Sequence, residues 1–170
     1  MTVSLEQDIA RLALQEERLR FKQIDEADAW ALGCQMRAAA LARKMPFVID
    51  IRVANRPLFT TALPGSTPEN PEWVRRKINT VMRFHKSSYR VGLEYELRGV
   101  RLDQSRGVDP LDFAAAGGGF PIHVIGTGVV GTVTVSGVPQ RDDHNFVVEM
   151  LCQFLTIPLA DVALAPERSA

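Results

Sequence analysis

At 170 residues, 46% of them hydrophobic and 24% charged, the chain has the make-up of one globular domain with a substantial core, which excludes intrinsic disorder. Twenty Lys and Arg cancel twenty Asp and Glu, so global attraction to nucleic acid or to an anionic membrane is not expected, while weak self-repulsion permits association between copies. The longest uncharged stretch, residues 113–140, is broken by seven glycines and two prolines and cannot form a bilayer helix.

The amino terminus, MTVSLEQDIARL, is acidic and amphipathic and lacks the basic and apolar regions of a secretory signal. Ser4 and Gln7 form an S-x-x-Q capping box that opens a helix with Leu5, Ile9, Leu12 and Leu19 on one side. Asp25 caps a second helix running to about Arg43, and Pro46 marks its end. Its stripe of Ala29, Gly33, Met36 and Ala40 would let a neighbouring backbone come close. Cys34 and Cys152 both lie in apolar helical contexts, which predicts buried reduced thiols and a cytoplasmic location.

From Phe47 the hydrophobic period becomes two, with Phe47, Ile49, Ile51 and Val53 facing one way and Val48, Asp50 and Arg52 the other. A turn at Ala54, Asn55 and Arg56 leads into a second strand over 58–63, so this region reads as a β-hairpin. Asn70, Pro71 and Glu72 supply a cap, a first-turn proline and an early acid for a helix to about Lys86. Ser87 or Ser88 caps a further short helix to Leu97, after which 99–110 is polar loop or edge. Two β-rich runs, 120–125 and 129–136, are separated by Gly126, Thr127 and Gly128. Asp142 or Asp143 then caps a last helix carrying Phe146, Val147, Met150, Leu151 and Phe154, stopped by Pro158. Short antiparallel pairs with helices packed around them predict a single α+β domain over 1–170, not a doubly wound parallel sheet.

Residues 126–131 read GTGVVG, a literal G-x-G-x-x-G. A dinucleotide site needs that motif to open a helix facing the pyrophosphate. Here the next residues are Thr132, Val133, Thr134 and Val135, β-branched throughout, so the glycines belong to a turn between strands. Gly117, Gly118 and Gly119 are a different matter, because three consecutive glycines lose much entropy on ordering. They fit a bulge, a close approach of another chain, or a loop whose exposed N–H groups bind a small anion.

Arg75, Arg76, Lys77, Arg83, Lys86 and Arg90 crowd one segment without an acid. They read as a solvated face, a site for an anionic ligand (a carboxylate, phosphate or haem propionate), or a surface pairing with a neighbouring subunit. Nucleic acid is not expected, because no aromatic stacking ladder accompanies the charge. His85 falls on the apolar stripe of Val74, Ile78 and Val81, which suits a core or interface histidine as well as a ligand. His144 follows Asp142 and Asp143 at a helix start, where capping explains the acids and an acid/base role is the alternative. No H-x-x-x-H or C-x-x-C spacing supports a metal, and no G-x-S-x-G elbow supports a serine hydrolase. The candidate ligand-binding residues are Arg83, His85, Lys86, Gly117, Gly118, Gly119, Phe120 and His144. No catalytic set is assigned.

The run GGGFPIHVIGTGVVGTVTVSGVPQRDDHNFVVEML, residues 117–151, resembles the haem-degrading domain family (the GlcG and HbpS-like proteins). It is most similar to the branch called uncharacterised protein family 0303, as are RKINTVMRFHKSSYRVG at 76–92 and the 47–63 hairpin. The resemblance implies a profilin-like fold, an antiparallel sheet flanked by helices, and higher homo-oligomers. It also makes haem or another small ligand the candidate cofactor. In this branch a His is expected just before the paired glycines, and here that place is Ala116. The expected function is a homo-oligomeric module binding a small anionic ligand or a protein partner. The alternatives are a haem-linked or other small-molecule enzyme using His85 or His144, and an oligomeric scaffold.

Overall fold

The structure, a computed structural model, describes residues 4–166. Its elements in chain order are α1 (Leu5–Arg18), α2 (Glu26–Ala42), β1 (Val48–Val53), β2 (Arg56–Ala62), α3 (Glu69–Phe84), α4 (Ser88–Leu97), β3 (Gly119–Val124), β4 (Gly128–Ser136) and α5 (Gln140–Leu155), with short 3-10 turns at Gln104–Arg106 and Leu159–Asp161. The four strands form one antiparallel sheet in the order β2-β1-β4-β3. Two local hairpins are thus joined through their inner strands, the α+β arrangement expected from the alternating period and the turn residues.

The two faces of the sheet are covered differently. Ile49, Ile51, Val133 and Val135 point into the main core, where they meet Leu32, Met36 and Ala40 of α2 and Phe146, Val147, Met150 and Leu151 of α5. On the opposite face Val48 packs against Val74 and Ile78 of α3. Leu12 of α1 joins Tyr89 and Leu93 of α4 in a third cluster. Each full burial of such a side chain contributes about 1.5–3 kcal/mol, so this layering is the main source of stability.

Local chemistry sets the element boundaries. Both halves of the Ser4–Gln7 capping box are formed, and Asp25 and Asp28 make a second one at the start of α2. Gly33 admits a ring, not a backbone: a Cβ there would fall on Phe59. Strand β2 begins at Arg56, earlier than the sequence suggested, because Ala54 adopts φ +51 and closes the hairpin in two residues. Helix α3 begins at Glu69 with Pro68 as cap, while the Asn70 side chain reaches back to accept the Thr67 N–H at 2.8 Å. It ends at Phe84, short of the expected Lys86. His85 turns left-handed (φ +53) and Ser87 is taken up as the N-cap of α4.

At α5 Pro139 holds the cap position, and Asp142 and Asp143 lie within the first turn. The helix stops at Leu155, where Thr156 takes φ +57, before Pro158 is reached. Cys152 is buried as expected, but Cys34 is exposed, since the buried stripe of α2 runs through Leu32, Gly33 and Met36. Among the described residues no helix is long and apolar enough to cross a membrane.

Candidate functional site

A cleft of about 520 Å³ lies between α1, the α3–α4 turn and the β3–β4 hairpin. Its apolar wall is Ala13, Phe84, Pro121 and Val129, and its polar groups are Glu16, Glu17, Arg20, His85, Lys86, Arg90 and His123. Three backbone features build it. The left-handed His85 ends α3 while its N–H still reaches Val81 O at 2.8 Å, which leaves the imidazole outside the helix. The Ser87 N–H donates to Glu16 Oε1 at 2.8 Å and pins the turn to α1. Phe21 bonds along β3, its N–H to His123 O at 2.8 Å and its O from the Ile125 N–H at 2.9 Å, which brings the preceding Arg20 to His123.

An ion-pair chain forms one side of the cleft. Arg90 bonds Glu16 at 2.6 Å and Glu94 at 2.9 Å, and Lys86 bonds Glu94 at 2.8 Å. Burial pushes the Glu16 carboxyl up, and the Ser87 N–H and Arg90 pull it back. Glu16 and Arg90 are therefore occupied with each other. The groups left to meet a ligand are His85, His123 and Arg20, with Glu17 as the acid of the rim. Burial first, then the charges of Arg20 and His85, hold His123 below the ordinary histidine value, so at neutral pH its imidazole is neutral and keeps a lone pair.

The eight residues singled out from the sequence do not converge. His85 and Lys86 line the cleft. Arg83 lies against the Phe113 ring at 5.7 Å, away from it. Gly117, Gly118, Gly119 and Phe120 are buried, and so is His144. His85 is exposed, not in the core, because the helix whose apolar stripe it would have extended has already ended. The same break puts Arg90 on a different helix from Arg76 and Arg83, so their even spacing makes no common face. Arg75 pairs with Glu72 and Asp112, and Arg76 stacks on Trp73 at 4.2 Å.

The triple glycine packs closely against this chain's own Gln140, Val135, Val81 and Ser88. The Gly117 N–H donates to Gln140 Oε1 at 3.3 Å and the Gly119 N–H to Ser88 Oγ at 3.0 Å, while Ser88 in turn donates to Ala116 O at 2.6 Å. Gly118 adopts φ +123, and a Cβ there would fall on Val135 O and lie 2.8 Å from Lys77 Nζ. That Lys77 is buried, 2% exposed. Its Nζ donates to Asp143 Oδ2 at 2.8 Å and to Val135 O at 3.1 Å, and Asp143 Oδ1 accepts the Val138 N–H at 3.0 Å. His144 lies next to this pair in sequence but faces inward. Its Nε2 meets Gln15 Oε1 at 2.8 Å, its Nδ1 has no hydrogen-bond partner among the described residues, and burial pushes its pKa down to about 3.

Sequence reasoning missed Arg20, His123 and the Lys77–Asp143 pair as members of sites. His123 was visible only as a strand residue, and Lys77 as one cation among six. Spacing carries no sign that Lys77 would meet an acid 66 positions away.

Comparison with known proteins places this geometry in a family. Residues 24–152 match the family model described as haem degrading protein HbpS-like. A UPF0303 protein of Acidobacterium capsulatum is 48% identical over 95% of this chain and 98% of its own length. Another, of Sinorhizobium medicae, is 50% identical over 90% of this chain and 93% of its own. Among solved structures, Ybr137w superposes with a TM-score of 0.80 at 29% identity, covering 91% of this chain and 90% of that one. PduOC in its haem complex superposes at 0.65 with 17% identity over 79% of this chain and 96% of that one, a likeness of fold. The chain belongs to the HbpS-like family of haem-degrading proteins, among the UPF0303 proteins.

Proposed function

We propose that this chain is a homo-oligomeric, cytoplasmic module that binds a small anionic ligand, haem foremost, in the cleft between α1, the α3–α4 turn and the β3–β4 hairpin. The observation that carries this reading is the grouping of His123, His85 and Arg20 against the apolar wall of Phe84, Pro121 and Val129. A neutral imidazole is an iron ligand, a guanidinium pairs with a propionate, and an apolar wall receives a porphyrin face. The residues present therefore fit the group. His123 would hold the iron, His85 would stand by as a second nitrogen donor, and Arg20 would meet the carboxylate edge. Haem bound there would supply redox chemistry at its iron. The chain's own part is to bind, orient and shield.

Haem titration tests the reading. A saturable Soret shift is expected, with affinity reduced about tenfold or more in His123→Ala and less in His85→Ala. Binding no tighter than to an unrelated protein, or binding untouched by both changes, would overturn it.

Self-association is supported by large apolar side chains left in water, among them Trp30 at 61%, Leu111 at 76% and Ile125 at 59% exposure. Light scattering checks this directly, and a strictly monomeric protein at micromolar concentration would sink it.

A further inference from the structure

A second cleft, about 310 Å³ in volume, shares no residue with the first and opens over the Lys77–Asp143 pair. An ion pair that only ties α3 to α5 needs no cavity at its side. Here Trp73 forms one wall, and Asn70, Ser136, Gln140 and Ala116 are among the other lining residues. Among the described residues Lys77 Nζ has two hydrogen-bond acceptors, Val135 O and Asp143 Oδ2, so one of its three hydrogens remains unassigned. Asn70 Nδ2 donates to Ser136 Oγ at 3.4 Å, which leaves the serine hydroxyl hydrogen free to point elsewhere.

These groups discriminate between ligand classes. An anion gains nothing at Lys77, because Asp143 already neutralises the ammonium and would repel a second carboxylate. A cation meets the Lys77 side chain and the nearby Arg76. A neutral carbonyl compound meets neither objection. Its oxygen finds the Ser136 hydroxyl, and its carbon comes to Lys77 Nζ, an amine with a carboxylate proton acceptor at 2.8 Å.

We propose that Lys77 is an amine nucleophile that forms an imine with a small neutral aldehyde or ketone bound in this cleft, with Asp143 holding the proton that the ammonium gives up. Burial pushes Lys77 down and Asp143 up, both toward the uncharged pair, and the charge of Arg76 adds to the first effect. The step balances. The ammonium passes one proton to Asp143, and its lone pair adds to the carbonyl carbon. The C=O π electrons move to oxygen, which takes the proton back. A second N–H proton joins it there, the C–O bond breaks, water leaves, and a C=N bond remains.

The test uses the intact protein with benzaldehyde as probe and sodium cyanoborohydride to trap the imine near neutral pH, read by peptide mass mapping. The chain has four lysines, Lys22, Lys44, Lys77 and Lys86, so the map is simple. Proximity of the bound carbonyl and proton transfer to Asp143 act at Lys77 and not at the two exposed lysines, so Lys77 is expected to be labelled about tenfold faster than Lys22 and Lys44. Adducts on Lys22 and Lys44 with Lys77 unmodified would overturn the proposal, and this wild-type result stands without any variant. Ala116→Leu, which narrows the cleft, is expected to slow labelling of Lys77 alone. Unchanged labelling of Lys77 in that variant would remove the cleft as its route.

Discussion

The two polar regions of this molecule use the same residue types to opposite ends. In the cleft by the α3–α4 turn, Arg90, Glu16, Lys86 and Glu94 form a partly exposed chain, and two imidazoles beside it stay accessible. Beneath the triple glycine, Lys77, Asp143 and His144 are buried between α3, β4 and α5, the first two at the floor of the smaller cleft, and each is held by one or two specific contacts. In the first region the outer pair, Lys86 and Glu94, keeps part of its water, so removing Lys86 costs little. In the second, the charges have given up most of their water, and compensation comes from the ionic partner with one backbone group each, Val135 O for Lys77 and the Val138 N–H for Asp143.

That contrast can be broken most severely at Lys77. Lys77→Met leaves Asp143 buried without a counter-charge, and a loss of about 3–5 kcal/mol is expected in urea denaturation. A loss below about 1 kcal/mol would mean that water reaches Asp143 freely. Gly118→Ala comes next. It forces a side chain into φ +123 and onto Val135 O, for an expected cost of about 3 kcal/mol by the same measurement.

His144 sharpens the contrast through pH. Its pKa when folded, about 3, lies below the unfolded value of 6.5, so the unfolded chain binds the extra proton between those limits. Stability from this group is complete above pH 6.5 and is lost as pH falls toward 3. Between about pH 6.5 and about pH 5, where most carboxylates stay ionised, wild type should lose about 2 kcal/mol, and His144→Gln should show a flatter curve. Equal slopes would mean that the imidazole is solvated. The smallest effect belongs to the cleft rim: Lys86→Ala removes a half-exposed pair with Glu94 and should change stability by less than about 1 kcal/mol.

What was legible in the sequence was local. The Ser4–Gln7 box, the Asp25 cap, the Ser87 cap and the two hairpins depend on residues a few positions apart, and all of them form. The GTGVVG motif could be reassigned for the same reason, since the β-branched run directly after it is a strand. The candidate sites were less legible because they are assembled from distant segments. Arg20 reaches His123 through a bridge between Phe21 and Val124, and Lys77 finds Asp143 only after α3 and α5 have docked near β4. The position of His85 turned on a single left-handed residue, which helical periodicity cannot register.

The strand order also says something about how the chain reaches this state. Each hairpin closes through a short turn, so β1–β2 and β3–β4 can form from neighbours in sequence on a microsecond scale. The central ladder is different. Val48 pairs with Ser136 and Val53 with Gly131, partners drawn from the second and last quarters of the chain, with α3 and α4 between them. Of the three ladders its closure carries the largest loop entropy and is expected to set the pace of sheet formation. Substitutions along the β1–β4 seam should therefore slow refolding, whereas those in the outer strands should chiefly hasten unfolding.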